Sequence, residues 1–159
     1  MIQGDIATPV VYESEVAFAF LDHRPLFPGH CLVLPRRHIE TLTVMPGELL
    51  GPFFGEVQLV ARAVQTAMDA QGTFVAMNNR ISQSVPHLHI HVVPRNRGDG
   101  LRGFFWPRTR YESADEEERT RALLQETIRA LTDLPHDLAE QRAREGLEVG
   151  PPQKLPYEE

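Results

Sequence analysis

Pro86-His87-Leu88-His89-Ile90-His91-Val92-Val93-Pro94 has three histidines at alternate positions, each followed by an aliphatic residue. Side chains at positions i, i+2 and i+4 of a β-strand leave from one face of the sheet, and the side chains between them leave from the other face. We therefore predict a strand here. Its aliphatic side chains should anchor it in a core, while its three histidines line a cleft.

Length and composition limit the kind of protein to which this cleft belongs. A chain of 159 residues suits one domain with its own core. Its net charge of −6 and its pI near 5.6 disfavour broad nucleic-acid binding, which requires a basic surface. Cys31 is the only cysteine, which suits a reducing compartment, and no apolar stretch has the form of a signal peptide or a membrane span. We expect a cytoplasmic protein that binds neither nucleic acid nor membrane.

Short apolar runs, separated by polar or Pro/Gly-rich turns, predict strands elsewhere in the chain. These runs cover residues 10–12, 16–21, 31–34 and 74–77. Between the last two, apolar residues recur at helical spacing over residues 53–68 and predict one amphipathic helix. Strands on both sides of a helix favour an α+β fold, with about five antiparallel strands packed on one main helix.

The C-terminal third has a different pattern. Ser113-Ala114-Asp115-Glu116 resembles a helix capping box, and apolar residues continue beyond it at helical spacing. This pattern predicts a helical extension over about residues 113–145, with a second, weaker helix at 136–144. We predict a single domain over residues 1–145, with a core at about 10–95, and a mobile tail over residues 146–159.

His87-Leu88-His89-Ile90-His91-Val92-Val93 resembles the signature of the histidine triad (HIT) superfamily, in which three histidines alternate with apolar residues. Pro28-Gly29-His30, the stretch 32–38 and Gln83-Ser84-Val85 agree with that family in the same order. The pattern is similar to that of bacterial diadenosine tetraphosphate hydrolase-like members. The resemblance implies a homodimer that cleaves a nucleotide at its α-phosphate through a covalent nucleotidyl-histidine.

The side chains of the triad suit that chemistry. A neutral imidazole, with an ordinary pKa of about 6.5, is a competent nucleophile at neutral pH. By resemblance the nucleophile is His89, and its other ring nitrogen needs a fixed acceptor that sets the tautomer. His91, on the same face, would bind a phosphate oxygen and help the leaving group depart, while His87 would orient and support. The family's transferases tend to have glutamine at the third position, so a histidine there favours water as the final acceptor.

The resemblance also assigns residues around the triad. Asp22 matches a residue that binds the ribose hydroxyls, and His30 matches a fourth active-site histidine near the third triad member. Asn78, Gln83 and Ser84 match contacts to the phosphate or the leaving group. Each residue also has a structural interpretation: Asp22 suits a turn, His30 suits a buried imidazole, and the others suit a loop.

Two further features carry no firm role. His38 matches a family histidine whose function the resemblance does not specify. Residues 95–108 interleave arginines, glycines and aromatics, as in a loop that contacts polyphosphate and stacks a base, with Trp106 as the stacking residue. The same aromatics would equally suit packing on the C-terminal helix or on a second subunit.

Other functions stay open at this point. In a metal protein, two histidines of the His-x-His pattern share a zinc ion. His87 and His91 are about 13 Å apart in an extended strand, so a further ligand such as Asp22 or His30 would be needed. In a nucleotide sensor, the cleft binds a nucleotide with little turnover. We expect a purine nucleotide as substrate and no tightly bound cofactor, with Mg²⁺ only as a companion of polyphosphate.

Overall fold

The structure is a computed structural model, which describes residues 9–101 and 110–132. In this part of the chain, five strands form one antiparallel sheet with the order β1-β2-β3-β5-β4. The strands are β1 (Val10–Glu13), β2 (Ala17–Leu21), β3 (Cys31–Pro35), β4 (Gly72–Ala76) and β5 (Ile90–Arg95). The predicted α+β fold with five antiparallel strands is confirmed.

The main helix, α1, covers one face of the sheet. It extends over Gly47–Ala67 and follows a short 3-10 turn at Leu42–Val44. The helical spacing of apolar residues predicted a helix from residue 53, but the structure begins the helix six residues earlier, with Pro52 inside it. Pro52 is only the sixth helical residue, so it removes one hydrogen bond near the N-terminal end and leaves the later turns intact.

Alternate residues of the central strands form the core with α1. The buried cluster contains Ala17 and Ala19 of β2, Cys31 and Val33 of β3, Ile90 and Val92 of β5, and Phe53, Val57, Val60 and Val64 of α1. Burying these apolar side chains is the main favourable term that holds the helix on the sheet. As predicted, Leu88, Ile90 and Val92 are fully buried in this cluster.

The predicted histidine strand begins later than expected. Its ladder starts at Ile90, and β3 and β5 stop pairing at the pair Val33 and Ile90. Upstream of that point, the Leu88 N–H donates to the carbonyl of Ile39, at 2.6 Å, rather than to a strand residue. His87 and His89 therefore precede the strand, because the pairing of β5 with β3 ends at Val33 although β3 continues to Pro35.

The helix α2 occupies Ala114–Thr132, and it begins where the capping box predicts. The Ser113 hydroxyl accepts a hydrogen bond from the Glu116 N–H at 3.1 Å. The apolar side chains of α2, such as Leu123 and Ile128, are exposed. The predicted helix at 136–144, the predicted tail at 146–159 and Trp106 lie outside the described residues.

None of the helices within residues 9–101 and 110–132 has the length and apolar character needed to cross a membrane.

Candidate active site

Two histidines of the triad lie side by side at the start of β5. His91 pairs with Leu32 of β3 and with Ala76 of β4, and it alternates with Ile90 and Val92, which face α1. Its ring therefore lies on the sheet face opposite the helix. The ring centroids of His89 and His91 are 5.3 Å apart, at an interplanar angle of 71°.

His89 has the tautomer that a nucleophile requires. Its Nδ1 lies 2.8 Å from the backbone carbonyl oxygen of His87. A carbonyl oxygen only accepts hydrogen bonds, so Nδ1 carries the proton and Nε2 keeps its lone pair. This carbonyl is a fixed acceptor of the kind that an attacking imidazole needs for its other ring nitrogen.

His91 has the opposite tautomer, because the Leu26 backbone N–H fixes the proton of the neighbouring His30 ring. The Leu26 N–H donates to Nδ1 of His30, at 3.2 Å, so the proton of the neutral His30 ring is on Nε2. This Nε2 lies 3.0 Å from Nδ1 of His91 and donates to it. The proton of His91 is therefore on its Nε2. His89 and His91 thus present a lone pair and an N–H, respectively.

Burial favours the neutral forms of His91 and His30. It lowers the pKa of His91 to about 4, an effect that the neighbouring His30 and His89 reinforce and the Asp22 carboxylate opposes. The pKa of His30 is also lowered by burial, against the attraction of Asp22. Neutral rings at pH 7 agree with the tautomers that the hydrogen bonds require.

The His87 ring lies between Pro35 and His38. Its Nε2 donates to the carbonyl oxygen of Pro35 at 2.9 Å, and its Nδ1 lies 3.3 Å from Nδ1 of His38. Burial is the main reason why its pKa is lowered. Both ring nitrogens have a protein partner, which agrees with the supporting role that the resemblance implied.

Asp22 lies next to the histidine relay, the series of hydrogen bonds from the Leu26 N–H through His30 to His91. Its Oδ1 accepts the Arg24 N–H at 2.8 Å, so it does form the turn that the sequence allowed. Its Oδ2 lies 3.6 Å from Nδ1 of His30, and the side chain is only 13% exposed. One carboxylate thus shapes the turn and also lies beside the buried histidines.

The donor set of Asp22, His30 and His91 fits this relay better than it fits a metal ion. One ligand atom from each lies within 4.8 Å of the others, as a metal site requires. However, His30 has Nδ1 beside Asp22 and Nε2 beside His91, and an imidazole binds one metal with one nitrogen. The nitrogen beside Asp22 already accepts the Leu26 N–H.

Gln83 and Asn78, which the resemblance placed at the phosphate, hold the loop between β4 and β5. The Gln83 Nε2 donates to the Glu40 carbonyl at 2.6 Å, and its Oε1 accepts the Arg80 N–H at 2.7 Å. The Asn78 Nδ2 donates to the Ser82 carbonyl at 3.1 Å. Both amides are therefore engaged in the structure of the loop itself.

The loop has an unusual backbone and an exposed end. Arg80 and Ser82 have φ angles of 70° and 59°, in the left-handed region that non-glycine residues rarely adopt. Ser84, the third residue assigned to phosphate or leaving-group contact, is exposed. A strained loop of this kind needs the side-chain hydrogen bonds that Gln83 and Asn78 supply.

Three partners in the site had no clear sequence signal. The Leu26 N–H and the Pro35 carbonyl are backbone groups, so their residue types say nothing of their roles. His38 was recognisable only as a match to a family histidine. Its contact with His87 joins residues that are 49 positions apart.

An α+β fold whose sheet presents a histidine lone pair next to a histidine N–H is typical of the histidine triad class. A family model described as the HIT domain matches residues 3–98. The chain belongs to the HIT family.

Known relatives agree with this assignment. "Protein hit" of Bacillus subtilis is 39% identical over 109 residues, which are 67% of this chain and 74% of that protein. A bifunctional bis(5'-adenosyl)-triphosphatase/adenylylsulfatase of Arabidopsis thaliana is 31% identical over 112 residues, which are 69% of this chain and 60% of that protein. The crystal structure of a HIT family member from Bacillus subtilis has a TM-score of 0.65 and 33% identity, covering 77% of this chain and 89% of that one.

Proposed function

We propose that this chain is a nucleotide hydrolase. It would cleave a dinucleoside polyphosphate or a nucleoside phosphoramidate at the α-phosphorus, through a covalent nucleotidyl-His89, and release a nucleoside monophosphate. The observation that carries the proposal is the tautomer of His89, whose Nδ1–H is held by the His87 carbonyl at 2.8 Å and whose Nε2 has a free lone pair.

In the first step, the Nε2 lone pair of His89 attacks the α-phosphorus. A P–N bond forms, and the bond from phosphorus to the leaving group breaks with its electron pair. The His89 ring gains positive charge as the P–N bond forms. Its Nδ1–H bond to the His87 carbonyl then becomes charge-assisted, which stabilises the intermediate.

In the second step, water attacks the same phosphorus. The P–N bond breaks, its electrons return to Nε2 of His89, and the nucleoside monophosphate leaves. Water contributes a hydroxyl group to the phosphate and one proton, which passes to the solvent or to the leaving group. Splitting one displacement into two lowers the barrier of each step.

His91 and Asp22 would bind the reacting nucleotide. His91 is neutral at pH 7 and presents its Nε2–H, so it donates a hydrogen bond to an oxygen on phosphorus or to the leaving atom. Asp22 would accept hydrogen bonds from the ribose hydroxyls, chiefly through Oδ2, which lies beside His30. We propose a purine nucleotide as substrate, with Trp106 stacking on the base and Mg²⁺ bound only with a polyphosphate.

The relatives support this substrate class. The Arabidopsis thaliana protein is named for bis(5'-adenosyl)-triphosphate and adenylyl sulfate. A relative from Schizosaccharomyces pombe, 28% identical over 96 residues, is named bis(5'-nucleosyl)-tetraphosphatase. An attack at the α-phosphorus, which the tautomer of His89 permits, would cleave all three of these substrates.

We also propose a homodimer in a reducing, cytoplasmic setting. β4 lies at the edge of the sheet that residues 9–101 form, and its outer backbone groups would pair with the β4 of a second copy. The exposed apolar side chains of Leu50 and Phe54 on α1 would suit burial in such a dimer. The only thiol in the chain, Cys31, is buried and unpaired, as a reducing compartment allows.

Nucleotide release by the purified chain tests the proposal. The chain is incubated with diadenosine tetraphosphate, adenylyl sulfate and an adenosine phosphoramidate, and AMP release is followed by chromatography. The matched variants are His89→Asn and Gln65→Asn, because Gln65 is exposed on α1, which covers the sheet face opposite the His91 ring. We expect AMP from at least one substrate, unchanged in Gln65→Asn and absent in His89→Asn.

Enzyme quenched in an alkaline denaturant gives a second measurement, because a P–N bond to histidine is hydrolysed in acid but survives in alkali. A phosphoramidate bond at His89 should be detected by mass spectrometry as an added nucleotidyl group during turnover. AMP release that persists in His89→Asn would overturn the assignment of the nucleophile. Tight nucleotide binding without release from any of the three substrates would favour the sensor interpretation.

A further inference from the structure

His38 and His87 form an imidazole pair at the edge of the site. Their Nδ1 atoms are 3.3 Å apart, and the rings meet edge to face, with centroids 5.0 Å apart and an interplanar angle of 79°. The His87 Nε2 donates to the Pro35 carbonyl, so the Nδ1 of a neutral His87 has no proton. His38 must therefore be the donor in this pair.

One member of the pair, His87, is hydrogen-bonded to the proposed nucleophile His89 through its backbone carbonyl. The carbonyl that accepts the His89 Nδ1–H belongs to His87, whose ring His38 and Pro35 hold from two sides. A rotation of the His87 residue would therefore move the acceptor that sets the tautomer of His89. No hydrogen bond of a β-ladder restrains this segment, because the ladder begins at Ile90.

Backbone hydrogen bonds in this region hold two N–H groups but leave the His87 carbonyl itself to His89, and the His87 N–H donates to the Val85 carbonyl at 2.8 Å. The Leu88 N–H is fixed on the Ile39 carbonyl at 2.6 Å, and Leu88 is fully buried. The peptide unit that contains the His87 carbonyl and the Leu88 N–H is thus held at its N–H end. The His87 ring, held by His38, fixes the residue that precedes this peptide unit.

We propose that His38 is a positioning residue for the nucleophile. It donates a hydrogen bond to His87, which keeps the His87 carbonyl aimed at Nδ1 of His89 and so keeps the lone pair of His89 on Nε2. This inference rests on the proposed function, because it assigns His38 to the attack by His89. His38 itself touches neither the substrate nor the reacting atoms.

Variants at His38 separate this role from simple structural support. His38→Asn places an amide N–H at about the position of the imidazole Nδ1, whereas His38→Ala removes the donor and His38→Gln carries it one bond further from the backbone. Arg37→Ala is the matched control, because Arg37 is on the same segment and its exposed side chain contacts only Glu48 among the described ion pairs. Each variant is first checked for an unchanged thermal unfolding midpoint.

Steady-state kinetics give the first readout. We expect kcat of His38→Ala to fall about fivefold, the effect of one lost hydrogen bond, with KM unchanged. His38→Asn should recover most of kcat, His38→Gln less, and Arg37→Ala should match the wild type. A kcat equal to that of the wild type in all four variants would overturn the proposal. A His38→Asn variant as slow as His38→Ala would overturn it as well.

Nitrogen NMR of the imidazoles gives a readout that needs no turnover. In the wild type, His89 should be protonated on Nδ1 alone, and in His38→Ala both tautomers of His89 should be populated. If the wild type releases AMP from none of the substrates, the proposed function fails, while this spectrum still tests the positioning role. An unchanged His89 spectrum in His38→Ala would overturn that role.

Metal analysis provides the remaining test, because two facing ring nitrogens 3.3 Å apart would also suit a shared metal ion. Untagged protein is treated with chelator and then titrated with Zn²⁺. The positioning role predicts full kcat and an unchanged His89 spectrum in the chelated protein. Loss of both on chelation, with recovery on adding Zn²⁺, would overturn the hydrogen-bond assignment in favour of a metal ligand.

Discussion

The Nε2 of His30 lies 3.0 Å from the Nδ1 of His91, and this contact joins a loop to a strand 61 residues further along the chain. The Leu26 N–H occupies the other nitrogen of His30. One backbone N–H thus determines which nitrogen of His91 carries a proton. The orientation of the loop that holds Asp22 and the chemistry of His91 are therefore linked.

Replacing His30 should change the tautomer of His91. In His30→Leu, Nδ1 of His91 loses its donor, and both tautomers of the neutral ring become accessible. We expect kcat to fall about tenfold, because the lost hydrogen bond leaves both the orientation and the tautomer of the His91 ring unfixed. Activity assays give kcat, and the nitrogen NMR spectrum of His91 gives the tautomer ratio.

His30→Gln is the matched variant for this prediction. The glutamine amide can place an N–H near the position of the imidazole Nε2, so kcat should stay within about threefold of the wild type. A His30→Leu variant that folds normally and keeps His91 protonated on Nε2 alone would contradict the relay.

The free energy of unfolding should depend on pH through His91. Its pKa is about 4 in the folded chain and about 6.5 in the unfolded chain. Between these values the unfolded state binds more protons, so stability is full above pH 6.5 and falls as the pH falls toward 4. One pKa unit corresponds to about 1.4 kcal/mol. Because His91 is partly exposed, we expect a loss of about 2 kcal/mol over this window.

Urea unfolding at several pH values measures this loss, and His91→Asn isolates the share of His91. Asparagine does not titrate, and its Oδ1, at about the position of the imidazole Nδ1, can still accept the His30 Nε2–H. The variant should therefore lose less stability than the wild type between pH 6.5 and 4. Parallel stability profiles for the two proteins would show that His91 does not titrate with a lowered pKa.

The parts of the fold that follow from local periodicity could be predicted from the sequence. Alternation correctly placed Leu88, Ile90 and Val92 in the core, because burial of one face is a property of the strand itself. The predicted start of α1 was late because buried residues mark a helix only from Phe53, whereas its first turn is mostly exposed and leaves no apolar periodicity. The predicted start of β5 was early because it depends on where the pairing with β3 ends, which is a tertiary property.

In the site, too, the residue types could be predicted from the sequence, but the features that depend on tertiary contacts could not. Motif resemblance identified Asp22, His30 and His91, which the structure brings together. It gave no tautomers, because these depend on the Leu26 N–H and the His87 carbonyl, and backbone groups have no residue-specific signal. Contacts of this kind join distant segments of the chain, so no spacing in the sequence encodes them.

Gln83 gives a test that separates a substrate contact from a structural one. Gln83→Ala removes the donor to the Glu40 carbonyl and the acceptor of the Arg80 N–H. Solvent replaces part of these bonds, so we expect the free energy of unfolding in urea to fall by about 1 kcal/mol. Because both ends of the amide are engaged in the loop, KM should change less than about threefold.

Ser84→Ala is the control for this prediction, because Ser84 is the next residue and is exposed. Its unfolding free energy should stay within about 0.5 kcal/mol of the wild type. If Gln83→Ala instead raises KM strongly at unchanged stability, the role at the phosphate that the resemblance assigned to Gln83 is the correct one.

Gly29, which directly precedes His30, should tolerate no side chain. Its φ is +90°, a conformation that side chains disfavour by about 1–2 kcal/mol. An added Cβ would also lie 2.6 Å from Cγ of Met68. Met68 is 40% exposed and flexible, so it can move away, whereas the backbone angle is fixed by the turn. We expect Gly29→Ala to lose about 1–2 kcal/mol in urea unfolding, mainly through the backbone.

A double-mutant cycle tests which of the two causes dominates. If backbone strain dominates, Gly29→Ala should cost nearly the same in a Met68→Ala background, with a coupling energy below about 0.5 kcal/mol. A coupling that cancels most of the loss would instead assign it to the contact with Met68. Gly55→Ala is the control, because no atom lies within 4 Å of its added Cβ inside α1, and it should stabilise the chain by about 0.5–1 kcal/mol. Since Gly29 positions His30, kcat of Gly29→Ala should fall as well, whereas kcat of Gly55→Ala should not.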